Sequence, residues 1–356
     1  MRLRLRGPFR TRLNGRVRAF PGLRAQRALG WWVTLALAAA CLSGCSLAGA
    51  LLPQPTPTPT PTVTVTPTAT STATPTATPT PTSTPTPTVE PLRLLVNIDP
   101  PQVKQGHTLV LEVLANRGIH VSGAVDGRQV SFAPKPDGAW ALVGIAANAE
   151  VGPHPIQLSI ADEFGTTVST TISLVVLDED FGSEQIYIPA DRVELLDPQL
   201  VAAEAERLSQ IFARVSAQQL WKGTFRWPVV GRVTSPFGIS RTYNDGSGSY
   251  HAGVDIAEEM ATPVLAANAG QVVLAGPLKV HGNAVILDHG WGVYSAYYHL
   301  SDMFVQEGQA VDSGDTVGLL GNTGLSTGAH LHWEMRVGSV AVNPLEWTSR
   351  SIPAED

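Results

Sequence analysis

The sequence predicts a mainly β protein: an antiparallel β-sheet domain in its C-terminal third, preceded by a helical connector and a small β-sandwich. Three observations carry this. From residue 92 onward, short runs rich in Val, Ile, Thr and aromatic residues are split by Gly, Pro, Asp and Asn, the pattern of strands and tight turns. One stretch, 198–220, spaces Leu208, Ile211, Phe212 and Val215 at helical intervals. Residues 225–350 are glycine-rich and show no long helical period.

The N-terminal part is built differently. All nine basic residues before Cys45 are arginines, and no acidic residue occurs before Glu90. The run WWVTLALAAACL has about twelve apolar residues, whereas a bilayer-spanning helix takes roughly 20. A charged start and a short apolar run make a secretory signal. The run ends in Leu42-Ser43-Gly44-Cys45, which resembles the bacterial lipobox. That resemblance implies a lipoprotein signal peptide over 1–45, a diacylglyceryl thioether on Cys45, and an extracytoplasmic chain attached to a membrane by its N-terminal lipid. Two acyl chains give stable attachment where one is marginal.

Residues 46–91 are expected to be a disordered linker, dominated by the Pro/Thr tract at 53–89 (PTPTPTPTVTVTPTATSTAT…). Such a composition has no core-forming pattern, and its prolines favour an extended chain with a reach of roughly 100 Å. From Cys45 onward, 15 basic residues face 30 acidic ones. That balance argues against binding a phosphate backbone, so no nucleic-acid partner is expected.

Residues 92–178 read as an Ig-like sandwich, with LVLEVLA and VSTTISLVV alternating as half-buried strands do. His107, His120 and His154 fall here and share no ligand spacing. Residues 185–224 are the connector, with Asp197 before Pro198 as a helix N-cap and N1 pair.

Four fragments of 225–350 carry chemistry: His251-Ala252-Gly253-Val254-Asp255, Tyr298-His299-Leu300, His330-Leu331-His332, and the glycine loop before the last. Side chains at i and i+2 or i+4 of a strand share a face. Two neighbouring strands can therefore bring 251, 255, 330 and 332 to one point. A catalytic zinc site takes about three protein ligands and keeps one position open, and imidazole and carboxylate suit that ion. Glu334 lies on the same face as His332 and is a candidate acceptor for a ligand imidazole. Tyr243 and Asn244, on the loop before His251, are candidates for the wall of a substrate groove. No H-E-x-x-H occurs, so no glutamate beside a ligand can serve as base. No P-C-x-x-C follows His332-Trp333-Glu334, which excludes a zinc deaminase.

GRVTSPFG, YHAGVDIA, GNAVILDHG, YYHL and GDTVGLLGNTGLSTGAHLHWEMRVG resemble the LytM/lysostaphin-type zinc endopeptidases, peptidase family M23, nearly fragment for fragment. The resemblance covers about a third of the chain. It implies one zinc per chain held by His251, Asp255 and His332, with His299 and His330 as the non-ligand catalytic pair. It does not divide the roles within that pair. The implied partner is peptidoglycan, the implied activity hydrolysis of its stem or cross-bridge peptides, and a monomer is expected. The other reading is a non-catalytic wall-binding protein or an activator of other murein hydrolases. Retention of all five histidine and aspartate positions favours the enzyme.

Overall fold

The computed structural model describes residues 90–244 and 246–353. The expected signal peptide, Cys45 and nearly all of the Pro/Thr linker lie outside the described residues. Among these, no helix is long and apolar enough to cross a membrane.

The first layers are two facing sheets. One has the order β1 (Leu94–Asp99), β3 (Thr108–Ala115), β7 (Gly138–Gly144), β6 (Ala133–Lys135). The other runs β2 (Gln102–Lys104), β9 (Thr167–Leu177), β8 (Gly152–Asp162), β4 (Ile119–Val125), β5 (Arg128–Val130). Period-two patterning decides which side is inward: along β8, Ile156, Leu158 and Ile160 are buried while Gln157 and Ser159 are exposed. With Leu109, Leu111 and Val113 of β3 and Leu174 and Val176 of β9, they form one apolar core between the sheets.

A parallel strand follows. β10 (Ser183–Ile186) pairs with β12 (Ser240–Tyr243), which pairs in turn with β13 (Gly248–Tyr250). Between them lies α1 (Pro198–Phe212), with the Asp197 side chain accepting from the amides of Gln199 and Leu200. The helix stops at Phe212 instead of reaching 220. Beyond it the chain bonds to the β-sheet turn instead, Leu220 donating to the His289 carbonyl and Trp291 to that of Ser216. Leu208, Ile211 and Phe212 are buried as the periodicity requires, but Val215, past the helix end, is exposed.

The main sheet is antiparallel throughout. Its order is β11 (Arg232–Ser235), β14 (Val254–Ala257), β22 (Leu331–Val337), β18 (Val293–Leu300), β17 (Asn283–Gly290), β16 (Gly270–Pro277), β20 (Ala310–Val311), with β23 (Val340–Val342) added at β22. A separate small sheet consists of β15 (Pro263–Leu265), β21 (Thr316–Leu319) and β19 (Asp302–Met303), and its Val264 and Val317 join the same apolar core as the main sheet. Strands β17 and β18 are buried along almost their whole length, as expected of central strands covered on both faces.

The sandwich is fastened to this sheet by buried polar contacts. The Thr108 amide donates to Glu346 Oε2 at 2.9 Å, and Arg350 Nη2 donates to the Thr108 carbonyl at 2.8 Å. Glu346 belongs to α2 (Pro344–Ser349). Leu142 of β7 joins the apolar core of the main sheet.

Glu204 ties α1 to the loop before β17. Its carboxylate accepts from the amides of Lys279 at 2.5 Å and of Val280 and His281 at 3.0 Å, and from His281 Nδ1 at 2.6 Å. Burial alone would raise its pKa, but the His281 bond and the amides outweigh it and bring the group down to about 2. A depressed carboxylate stabilises the fold above its unfolded pKa, near 4.3. That contribution fades as pH falls towards 2. Glu204→Gln is therefore expected to lose about 2–3 kcal/mol at pH 7. The gap from wild type should close in melts at pH 2.5. A gap that is equal at both values would show that the charge is not what stabilises this contact.

Candidate functional site

Asp255 and His332 are directly opposite each other on β14 and β22. The sheet ladder alone thus delivers one carboxylate and one imidazole to a common point. His251 is not on the strand with Asp255, as a shared-face argument would have it. It precedes β14, and its backbone pairs with 238–239, the amide donating to the Ile239 carbonyl. This turn folds its ring back over Asp255. His330 likewise sits just ahead of β22, bridged to Gly321.

Gly253 makes the turn feasible. A Cβ there would lie 2.4 Å from the Trp333 carbonyl oxygen and 2.9 Å from the His332 ring, so β14 can approach β22 this closely only with no side chain present.

The three ligand-type atoms nearly touch. His251 Nε2 lies 3.0 Å from Asp255 Oδ1 and 2.8 Å from His332 Nδ1, which lies 2.8 Å from the same oxygen. Among the described residues these form the group of His, Asp, Glu or Cys placed to hold a metal ion.

The hydrogen bonds of the outer ring nitrogens fix which inner nitrogens carry lone pairs. His251 Nδ1 donates to the Pro236 carbonyl at 2.8 Å, and His332 Nε2 donates to Glu334 Oε1 at 3.1 Å. Those acceptors require the proton to be on the outer nitrogen. Neutral His251 and His332 therefore turn bare Nε2 and Nδ1 towards an ionised Asp255. With both rings neutral, three lone pairs would converge with no proton between them, and a cation would satisfy them. Mutual spacings of 2.8–3.0 Å are a few tenths below the ~3.3 Å edge of a tetrahedral zinc site, so the donor set fits zinc with little adjustment. With no cation, a proton does the same work. Burial disfavours charge on His332, but the bonds to Asp255 and Glu334 prevail and raise it to about 9.

Glu334 is buried beneath His332. Arg336, whose Nε donates to its Oε2 at 2.8 Å, and His332 keep it ionised despite that burial. Arg336 in turn stacks 4.5 Å over the Phe212 ring of α1.

His299 and His330 stand beside this cluster, their rings 4.9 Å apart. His299 Nδ1 donates to the Thr323 carbonyl and His330 Nδ1 to that of Gly328, each at 2.8 Å. Both are left with a free Nε2, and that of His330 is 3.7 Å from Asp255 Oδ1. Burial, reinforced at His299 by the neighbouring rings, pushes both pKa values down. At neutral pH each is an uncharged acceptor able to take one proton on Nε2.

His299 reaches the site by breaking strand geometry. Strict alternation would send it away from Tyr298, which lies opposite His332 and stacks on it at 5.6 Å. Instead His299 has φ +61° and lies where the β17–β18 register shifts. A left-handed residue in a strand is costly for a non-glycine, and such residues collect at functional sites.

Of the groove candidates, expected on a loop, Tyr243 is the last residue of β12, paired with Ile186 of β10, and only Asn244 lies in the turn that follows. Asn244 is bonded from both sides to the backbone of Ile188, donating to its carbonyl at 3.3 Å and accepting from its amide at 3.0 Å. Tyr243 Oη lies 3.3 Å from Ser249 Oγ. Across the site, Arg192 bonds Asn322 and the carbonyls of Gly324 and Ser326, so the 188–192 segment links the two loops.

The profile of peptidase family M23 matches residues 249–344, which include every member of the cluster and both flanking histidines. The chain carries an M23 peptidase domain. Over 132 residues it is 41% identical to an uncharacterised metalloprotease of Haemophilus influenzae, covering 36% of this chain and 28% of that one. It is 39% identical over 117 residues to the DD-carboxypeptidase/endopeptidase Mpg of Neisseria meningitidis serogroup B, covering 33% and 27%. It is 38% identical over 125 residues to the murein hydrolase activator NlpD of Escherichia coli, covering 35% and 31%. The chain thus spans less than a third of the length of these relatives.

The M23 domain also draws on residues that sequence reasoning passed over. Arg241 Nη2 donates to Asp255 Oδ2 at 2.6 Å, and its Nε donates to Glu184 Oε1 at 2.6 Å. Neither residue belongs to a motif. The available signal was an arginine ten residues before His251 and a carboxylate on an earlier β-rich run.

Proposed function

We propose that the chain is a zinc metalloendopeptidase that hydrolyses peptide bonds in peptidoglycan stem peptides or cross-bridges. The observation that carries this is the convergence of three ligand-type atoms, from His251, Asp255 and His332, beside His299 and His330, whose rings lie 4.9 Å apart and whose Nδ1 atoms are bonded to backbone carbonyls. One zinc ion held there supplies a Lewis acid for an amide carbonyl and acidifies a water. The protein's own groups do the rest. Either His299 or His330 takes a proton on Nε2, and the resulting imidazolium donates to a developing oxyanion or returns the proton to the leaving amine. Glu334 holds the His332 tautomer that presents Nδ1. Tyr243 and Asn244 border the groove that receives the extended peptide.

The names of two relatives, a peptidase and a murein hydrolase activator, both point to the cell wall. They also define the second reading, an activator of other murein hydrolases, which the 38% identity to NlpD supports about as well as the 39% identity to Mpg supports a peptidase. Incubating the zinc-loaded chain with purified sacculi, alone and with a murein amidase, separates the two. New peptide termini from the chain alone, found by mass spectrometry, are expected. Products that appear only with the amidase, and are amidase products, would overturn the peptidase.

In the same reading Cys45 carries the lipid, and the tract at 53–89 lets a monomer reach the wall from its membrane. Cys45→Ser should move the protein to the soluble fraction without altering hydrolysis of free sacculi. If it remains with the membrane, another anchor holds it.

A further inference from the structure

We infer that Arg241, oriented by Glu184, is a positioning residue of the metal centre that reserves one oxygen of Asp255 for the ion by occupying the other. The inference rests on the zinc reading above.

Two cross-strand pairs build this contact. Glu184 on β10 lies directly opposite Arg241 on β12, and Ser235 on β11 lies directly opposite Asp255 on β14. The guanidinium spans them, donating through Nε to Glu184 Oε1 at 2.6 Å and through Nη2 to Asp255 Oδ2 at 2.6 Å and Ser235 Oγ at 2.8 Å. Ser235 Oγ completes the circuit by donating to Glu184 Oε1 at 2.6 Å. The side chains of Arg241 and Asp255 are only 14% and 11% exposed, so water competes little for these bonds.

The division of labour on Asp255 follows from geometry. Its Oδ1 faces His251 and His332, while its Oδ2 faces Arg241. A guanidinium does not deprotonate, so its charge-assisted bond to Oδ2 persists at every working pH. Oδ2 is thereby kept from the ion. Were it free, a carboxylate could take up two coordination positions and close the one that a catalytic site must leave open. Glu184 has an electrostatic task as well. Alone, the Arg241 cation would repel a metal ion a few ångströms away; paired with Glu184 it is neutralised, leaving the Asp255 charge for the ion.

Both residues lie ahead of the family match at 249–344, and Glu184 comes from the strand that joins the sandwich to the peptidase. The metal centre is therefore completed from β10 and β12, outside the matched stretch. Tests use the full chain, with zinc affinity read by chelator competition and the ligand field read from the visible spectrum of the cobalt-loaded protein. Arg241→Met should weaken zinc on the order of 10–100-fold, as losing a partner of a metal ligand does. Its cobalt bands should change in intensity and position. Arg241→Lys should remain defective, because an ammonium cannot bridge two carboxylates in a plane. Glu184→Gln should lose about tenfold, and Glu184→Asp should recover most of that. If Arg241→Met melts early, Glu184→Gln carries the decision.

Wild type binding no zinc would sink the metal reading itself. Wild type binding zinc while Arg241→Met and Glu184→Gln stay within twofold of it, with unchanged cobalt spectra, would sink the positioning role alone. Arg241→Lys matching wild type on both readouts would also overturn it, leaving charge as the explanation.

Discussion

His332→Ala is expected to abolish both metal binding and hydrolysis, whereas its near neighbour His330→Ala should keep the metal and lose about 10²–10⁴-fold in hydrolysis. The two positions are separated by one residue, yet they differ in what their inner nitrogens meet. His332 Nδ1 lies 2.8 Å from both Asp255 Oδ1 and His251 Nε2. His330 comes no nearer than 3.7 Å to Asp255 and is tethered by Gly328 on its other side. Removing His332 leaves two donors of three and strips Glu334 of its imidazole partner, burying a carboxylate with Arg336 alone. Removing His330 takes away a proton acceptor and leaves the donor triangle whole. Zinc content by atomic emission, alongside turnover of sacculi, checks both. His330→Ala arriving metal-free while His332→Ala stays loaded would reverse the assignment.

The second large effect is expected at Gly253. Gly253→Ala places a methyl 2.4 Å from the Trp333 carbonyl oxygen, a backbone atom that cannot swing aside. Relief requires β14 to separate from β22 at the position where Asp255 faces His332. Overpacking of this kind costs about 1–3 kcal/mol, which lowers Tm by roughly 2–12 °C in a chain of this size. Because the same shift pulls two donors apart, zinc affinity should fall at least tenfold as well. A variant with wild-type Tm and wild-type zinc affinity would mean that the two strands have slack that the packing does not reveal.

How much of this was legible beforehand depends on the residue. Asp255 and His332 were readable because strand alternation and antiparallel register are local rules, and β14 and β22 obey them. His251 was found through its spacing, but for an inexact reason: it reaches the site through a turn, not along a strand face. His299 was expected at the site only through the family resemblance, since no pattern announces a left-handed φ in a buried strand. The end of α1 was misplaced because the apolar stripe continues to Val215 while the chain after Phe212 finds better backbone partners on the β17–β18 turn. Arg241 and Glu184 were invisible for a deeper reason. Their pairing depends on a parallel contact between β10 and β12, whose partners are far apart in sequence and carry no period of their own.

The fastening at Thr108 bears on the order in which the chain matures as it is synthesised. The sandwich emerges first, and its strands form a core of their own. Yet the first peptide group of β3 finds its partners only in Glu346 and Arg350, 238 and 242 residues later. Until that late segment arrives, a buried amide and carbonyl have nothing to bond but solvent. That end of the sandwich is therefore expected to close fully only once α2 is in place. His332 and Glu334 belong to the same late stretch, while Asp255 and His251 come 77 and 81 residues before His332. The sandwich and the sheet that carries His332 are thereby expected to melt together, as one unit.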